Sequence, residues 1–293
     1  MAKGPRVSVV IPCFNGGADL PGALDSLDAQ TFCDFEVVVV DDGSDDGATL
    51  GILDSIAERV RIVRQGNRGL PAARNAGFAT ARADLVLPLD CDDRLDPRFL
   101  EATVDALGRN ADAAYAFTDL VLCGEKKGVL AKRYNLFTQL FVNQLPYCML
   151  IRRADWQDAG GYDESLRDGY EDWELNIRLA SLGRFGVAVS EPLFLYRVDS
   201  KGMLRRVSNR RHAQLWRHIQ DRHAALYRLP ALWRCWRAWR SAPRAYPAWL
   251  LVGLLMCHRA LPASVFNRVF SVLLRFSASA RADAGAARSA QGT

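Results

Sequence analysis

At 293 residues the chain fits one large domain or two small ones, and its 49% apolar content is ordinary for a globular protein with a sizeable core. The net charge of +5 joins two unlike parts: residues 1–200 balance at −10, while residues 201–293 balance at +15 with only Asp221 and Asp283 as acids. The seven cysteines are odd in number, scattered and free of any C-x-x-C or Cys/His cluster, which argues against a zinc site or a disulfide framework and points to a reducing cytoplasm.

The opening stretch "MAKGPRVSVVIPCFN" shows no h-region followed by a cleavage site, so export is not expected. From Val7 onward, short β-branched runs alternate with longer helix-compatible stretches, the pattern of βα units on a mostly parallel sheet. Strands are expected at Val7–Ile11, Glu36–Val40, Arg61–Arg64, Leu85–Leu89 and Ala113–Phe117. Helices are expected at Ala18–Gln30, Ala48–Glu58, Pro71–Ala81 and Pro97–Arg109, the last with Asp96 as N-cap and Pro97 in its first turn. Residues 120–148, with Lys126, Lys127, Lys132 and Arg133, read as a loop-rich insert. Regular structure resumes at Cys148–Arg152, turns at "GGYDE", and continues as a helix through "YEDWELNIRLASLG", where Trp173, Ile177 and Ala180 share a face and Gly183 is the stop. Phe194–Val198 reads as the last strand.

In an open parallel sheet, ligands bind beyond the carboxyl ends of the strands. Those positions hold Pro12-Cys13-Phe14-Asn15-Gly16, Asp41-Asp42-Gly43-Ser44 and Asp90-Cys91-Asp92-Asp93. Each alone reads as a turn, since Asp, Asn, Gly and Ser are turn formers; three polar strand ends in one domain read as a site. The segment "LPLDCDDRLD" gathers Asp90, Asp92, Asp93 and Asp96, and such repulsion calls for a metal ion, a helix N-terminus or solvation. The cap role accounts for Asp96. Neither G-x-G-x-x-G after the first strand nor G-x-x-x-x-G-K-[ST] is present, so a bare phosphate-cradling loop is not expected. Spaced carboxylates suit a hard divalent cation, Mg²⁺ or Mn²⁺, that bridges protein to a substrate diphosphate.

The ordered motifs "VSVVIPCFN", "VVVVDDGSDD", "GLPAARNAGFATARADLVLPLDCDD" and "GGYDESLRDGYEDWELNIRLASLG" resemble those of family 2 glycosyltransferases with the GT-A fold, over roughly residues 6–200. The resemblance implies an α/β fold with a mostly parallel central sheet flanked by helices, and an inverting transfer from a nucleotide-diphosphate sugar to an acceptor hydroxyl. By that resemblance Phe14 stacks on the base, with Pro12 and Asn15 beside it, Asp42 accepts a hydrogen bond from the base, and Arg74 lies near base and diphosphate. Asp90 and Asp92 match the D-x-D, the second meeting Mn²⁺ or Mg²⁺ and the first contacting the sugar or ribose beside the metal; Asp93 follows as a further donor-binding acid. Cys91 between them reads as packing, since no His or Lys neighbour would form its thiolate. Glu171 and Asp172 match the family's E-D pair, with Asp172 as the general base that removes the acceptor proton. Taken alone, that pair also reads as an acidic first turn of a helix. Where many relatives carry a histidine after the last strand, this chain has Asp199, an alternative oxygen ligand, with Arg197 and Lys201 as candidates for the diphosphate.

Beyond residue 203, arginine and tryptophan dominate, with Trp216, Trp233, Trp236, Trp239 and Trp249 there. On a helix Leu229, Leu232, Trp233, Trp236 and Trp239 share one face, which fits an interfacial helix on an anionic membrane or packing against the catalytic domain or a second protomer. The apolar run Ala248–Cys257 is too short to span a bilayer, and Val265, Val269, Val272, Leu273 and Phe276 form a second amphipathic stretch. The expected organisation is a catalytic domain over 1–203, a basic helical extension over 204–276 and a disordered tail over 277–293. The expected setting is the cytoplasm at the inner face of the membrane, with a carbohydrate or lipid-linked acceptor of bacterial surface polysaccharide or glycolipid synthesis. Nucleic acid is not an expected partner, since no recognition motif accompanies the basic tail. The competing readings are a non-catalytic scaffold, against which the intact acids argue, and a nucleotidyltransferase, which should carry a glycine-rich loop with a basic residue where "IPCFNGG" has none.

Overall fold

The computed structural model describes residues 4–199, 207–243, 246–268 and 270. The expected tail over 277–293, Lys201, and the Val269, Val272, Leu273 and Phe276 part of the second amphipathic stretch lie outside the described residues. Each early strand reaches into solvent-free core on both faces. In β1 (Val7–Cys13), Val7, Val9 and Ile11 join one apolar cluster and Val10 the other; in β2 (Phe35–Asp41), Val39 points to the first and Val38 and Val40 to the second. This two-sided burial explains why these strands read as unbroken β-branched runs. Each fully buried Val or Ile contributes roughly 1.5–3 kcal/mol relative to exposure.

With β3 (Arg61–Arg64) and β4 (Leu85–Pro88), these strands pair in parallel in the order β3-β2-β1-β4. Helices α1 (Leu20–Asp28), α2 (Gly47–Ile56) and α3 (Leu70–Thr80) occupy the connections. The expected α/β architecture is therefore present, but beyond β4 the sheet is mixed. It continues through β8 (Leu150–Arg152), β6 (Tyr115–Gly124), β9 (Gly186–Val198) and β5 (Arg94–Leu95), with antiparallel joints at β4–β8, β8–β6 and β9–β5 and a parallel one at β6–β9.

Four local expectations change. The last strand starts at Gly186, eight residues before Phe194, because Pro192 sits at a register shift opposite Asp119, where a missing N–H disturbs the ladder least. The 120–148 segment is partly regular: it completes β6, pairs with β7 (Gly128–Leu130) and forms the short α5 (Leu136–Gln139). Asp96 accepts a bond from the Arg98 N–H at 3.0 Å, yet α4 (Phe99–Arg109) begins later, with Arg98 at its N-cap, because Arg94–Leu95 is drawn into the sheet as β5. A further helix, α6 (Arg153–Asp158), directly follows β8.

The basic extension is built onto the sheet-containing part. Helix α7 (Glu171–Ser181) presents Trp173 and Ile177 to a third core that includes Phe137, Trp216 and Ile219 of α8 (His212–Arg222), Leu232 of α9 (Leu229–Ala238), and Leu251 and Leu255 of α10 (Ala248–Ala260). Polar contacts reinforce the joint: Glu174, buried on α7, meets Arg222 at 3.0 Å and His223 at 2.8 Å from the extension, besides Arg178 of its own helix at 2.5 Å. Asp163 takes His218 at 2.9 Å and Arg222 at 3.2 Å, bonds that outweigh burial and hold its carboxyl down at about 2. The expected apolar face of α9 is divided accordingly, since Leu232 is buried and Trp236 partly so while Leu229 and Trp233 are each 55% exposed. Among the described residues no helix is long and apolar enough to cross a membrane.

Helix α3 lies close on the sheet because its inner face is small. A Cβ at Gly77 would stand 2.2 Å from Val10 Cγ1 and 3.0 Å from Val40 Cγ2, both strand side chains with no room to retreat. Gly77→Ala is therefore expected to lower the unfolding free energy by about 1–3 kcal/mol in urea titration. Gly51→Ala, on α2 with nothing within 4 Å of its Cβ, is expected to raise stability by up to about 1 kcal/mol.

Candidate active site

The carboxyl end of β4 meets the amino end of α7 at a single buried guanidinium. Arg74, 1% exposed on α3, donates from Nη2 to both oxygens of Asp90 at 2.8 and 3.1 Å and from Nη1 to Glu171 Oε1 at 2.5 Å. Its charge also lies over the rings of Tyr147, 4.7 Å from the centroid, and Tyr162, 5.6 Å. Burial works against the charged form, but Asp90 and Glu171 outweigh it and hold Arg74 well above its ordinary range. Removing a partner from such a buried cluster leaves an uncompensated charge, which typically costs about 3–5 kcal/mol.

After β4 the chain turns tightly. Asp90 N–H donates to the Tyr147 hydroxyl at 2.9 Å, which donates in turn to Asp93 Oδ2 at 2.6 Å, and the Arg197 N–H donates to Asp93 Oδ1 at 2.7 Å. Burial followed by repulsion from Asp90 and Asp92 pushes the Asp93 carboxyl well above its ordinary value. Asp92 is different. It is only partly buried, among the described residues no cation lies within ion-pair distance of it, and burial with repulsion from Asp90 raises it. Arg197, from the end of β9, is drawn off to Asp19 at 2.5 Å.

On the opposite wall Tyr170 enters α7 in the left-handed region, φ 70°, and its hydroxyl hydrogen-bonds His212 Nδ1 at 2.9 Å. That kink sets Glu171 and Asp172 at the helix amino end. Glu171 is pushed up from 4.5 to about 7 by burial, against the pull of Arg74. Asp172, partly buried, accepts a bond from Asn143 Nδ2 at 2.8 Å, and burial raises it too.

The strand-end residues divide into open and enclosed ones. Phe14 is 49% exposed, as a stacking platform would be. Asn15, φ 50°, is bound to the β2 loop through Ser44 and Asp45, and Pro12 offers its carbonyl to the Cys91 thiol at 3.0 Å, so Cys91 packs. Asp42 already accepts from Gln65, the Arg68 N–H and the Gly69 N–H at 2.7–2.9 Å, which makes it the clamp for the loop leading into α3. Two placements differ from expectation. Arg74 is sealed between carboxylates and does not reach into the open cleft, because two acids and two aromatic rings enclose it. Asp93, 2% exposed, has both oxygens on protein donors and braces the site from behind. Asp199 lies at the end of β9, where its charge acts on Arg197. Tyr147, Tyr162, Asn143 and Asp19 were not singled out from sequence; only the position of Tyr147, just before a strand, hinted at a role.

Among the described residues no three His, Cys, Asp or Glu side chains converge to hold a metal ion by themselves. Mg²⁺ and its analogues need only one or two carboxylates when substrate phosphates and water complete the shell. Asp92 with Asp90 fits that requirement: an excess of negative charge, one carboxylate fixed by Arg74 and the other with no cation in ion-pair contact among the described residues.

A mixed sheet with flanking helices is the architecture of the GT-A fold. Residues 8–167 match the model of Glycosyl transferase family 2, and the chain belongs to that family. A chondroitin synthase of Escherichia coli is 27% identical over 189 residues, 62% of this chain but only 27% of the synthase, so the chain spans a fraction of that relative's length. An undecaprenyl-phosphate 4-deoxy-4-formamido-L-arabinose transferase of Aeromonas hydrophila is 40% identical over 113 residues, 36% of this chain and 35% of its own. The mannosyltransferase PcManGT from Pyrobaculum calidifontis, solved with GDP-Man and Mn²⁺, shares the fold over 93% of this chain and 81% of its own, with a TM-score of 0.60 at 19% identity.

The raised Glu171 carboxyl has a consequence for stability. Between about 4.5 and 7 the folded state binds the proton more tightly than the unfolded chain, so this residue's contribution is full below that window and is lost as pH rises through it. Glu171→Gln lacks the loss. Urea unfolding at a series of pH values should show the variant gaining on the wild type from pH 5 to 7.5, with no further change above.

Proposed function

We propose that this glycosyltransferase is inverting and metal-dependent, moving a sugar from a nucleotide-diphosphate donor to an acceptor hydroxyl. The observation that carries the reading is the division of acids around Arg74: Asp90 and Asp92 on one wall, Glu171 and Asp172 on the other. Phe14 offers the exposed ring for the base, with Pro12, Asn15 and the Asp42-clamped loop shaping that end. Asp92, with Asp90, would hold Mn²⁺ or Mg²⁺, and when bound the ion supplies the positive charge that a leaving diphosphate requires. Asp199 and Arg197, at the end of β9, are the candidates for closing the diphosphate end; Asp93 supports the wall through Tyr147. Asp172 accepts the proton of the attacking hydroxyl at the carboxylate oxygen that Asn143 leaves free. Attack from the face opposite the diphosphate follows from base and leaving group occupying opposite walls.

The domain division we favour is catalytic over 1–203 and helical over 204–276, the second sharing a core with α7. Bacterial surface polysaccharide or glycolipid synthesis is the setting supported by the named relatives, and the lipid carrier in the name of one of them supports a lipid-linked acceptor at the inner face of the cytoplasmic membrane. Trp233, 55% exposed on α9 beside Arg234 and Arg237, and Trp249, 74% exposed at the start of the apolar α10, supply aromatic side chains suited to a headgroup region. Sedimentation with vesicles should show binding that requires anionic lipid and weakens in Trp233→Ala/Trp249→Ala; equal binding to neutral vesicles would contradict it.

Asp92→Ala and Asp172→Asn are each expected to lower kcat by a factor of at least about 100. Only Asp92→Ala should also weaken metal-dependent binding of the nucleoside diphosphate, measured by calorimetry. Equal loss of nucleotide binding in both would refute the division of roles.

A further inference from the structure

Hydrogen bonding along one short path has a direction that the chain itself imposes. The Gln144 N–H can only donate, and it donates to Gln139 Oε1 at 2.8 Å. That turns the Gln139 amide so that its Nε2 donates to Asn143 Oδ1 at 3.0 Å, and Asn143 is thereby left to donate from Nδ2 to Asp172 Oδ2 at 2.8 Å. The path begins at an obligatory donor and ends at a group that must accept, which an ionised carboxylate does on both oxygens. Gln139 is completely buried, so its amide is not free to reorient into water.

The extension holds this path in place. The Gln139 carbonyl accepts from Trp173 Nε1 at 2.6 Å, and the Leu140 carbonyl accepts from Trp216 Nε1 of α8 at 3.1 Å and from the Tyr227 hydroxyl at 2.6 Å. Phe137, Leu140 and Phe141 sit in the core that the extension completes. The helices that carry the basic charge therefore also fix the backbone from which Asn143 reaches Asp172.

We infer that Asn143 is a positioning residue that keeps Asp172 ionised and aimed at the acceptor, oriented by Gln139 and held by the C-terminal helices. The inference rests on the reading of Asp172 as the base. One carboxylate oxygen is engaged by Asn143, and the other is left for the proton of the acceptor hydroxyl. The charged and titratable groups acting around the same carboxylate are Arg74 on α3, Lys132 before α5, Glu171 on α7 itself, and the rings of Tyr162, Tyr170 and Tyr196. Burial opposes the charged form of Asp172, and Arg74, the Trp173 N–H, Asn143 and Lys132 favour it.

The test is the pH dependence of kcat/KM for the full chain with Mn²⁺, in wild type, Asn143→Leu and Asn143→Asp. Leucine matches asparagine in size and donates nothing; aspartate keeps the shape and adds a like charge, and it serves if the leucine variant does not fold. The acid limb should move to higher pH by about one unit in Asn143→Leu and further in Asn143→Asp. Binding of the nucleoside diphosphate with Mn²⁺ should stay within about threefold of wild type, because Asn143 is on the acceptor wall. An acid limb that stays in place in the folded variants while kcat falls by one factor at every pH would overturn the inference. Asp172→Asn is assayed beside them: if it turns over at the wild-type rate, the base assignment fails and the inference with it, whereas an inactive Asp172→Asn with an unmoved limb in the Asn143 variants defeats the inference alone.

Discussion

Everything at this site leans on one cation in a closed space. Arg74 is buried with two carboxylates and two aromatic rings around it, and its charge is what allows Asp90 and Glu171, 81 residues apart in sequence, to approach. A buried ion cluster of this kind adds little to net stability, because desolvation consumes most of the attraction. What it does is specify geometry: the end of β4 and the start of α7 have one relative position in which both acids are satisfied. The small face of α3 is a condition for this, since Gly77 and the alanines beside it bring the helix close enough to the sheet for Arg74 to sit between the walls.

The same neutralisation is incomplete by design of the charges. Arg74 satisfies one acid on each wall and leaves Asp92 and Asp172 as the members without a guanidinium. In the mechanism we propose, those are the two positions that need negative charge, one to collect a cation and one to take a proton. The surrounding phenols and Asp93 are pushed toward their neutral forms by burial, so they shape and brace the pocket while adding little charge of their own. The basic extension belongs to this economy of charge, since Arg222, His218 and His223 pair with Asp163 and Glu174 behind the catalytic helix. Part of the strong charge asymmetry between the two halves of the chain is thus internal pairing across a shared interface.

What could be read from the sequence followed from local rules. The run Arg61–Arg64 emerged with its expected bounds, and the polar residues after β1 and the acids after β2 and β4 stood at strand ends because two-sided burial makes such strands conspicuous. Motif order placed Glu171 and Asp172 on a helix start. The misplacements came from contacts between distant residues. Nothing local in "LDCDD" says that Asp93 turns inward, since its partners Tyr147 and Arg197 lie 54 and 104 residues away. Arg74 carries no mark of burial, because an arginine on a helix reads as solvated until two acids are known to face it. The start of β9 was hidden by Pro192, which reads as a break and is accommodated by a register shift. The tryptophans of α9 read as one apolar face, for a membrane or for packing; tertiary packing divides that face between a core and a surface.

The most direct test of the account is calorimetric binding of UDP, GDP, CDP and dTDP to the wild-type protein, each with Mn²⁺ and with a chelator. If Arg74 neutralises only half of the site, one diphosphate should bind with Mn²⁺ and lose at least about tenfold in affinity without it, and the same experiment names the base of the donor. Equal affinity with and without the ion would mean that the protein's own cations suffice for the diphosphate, and the carboxylates at the end of β4 would need another explanation.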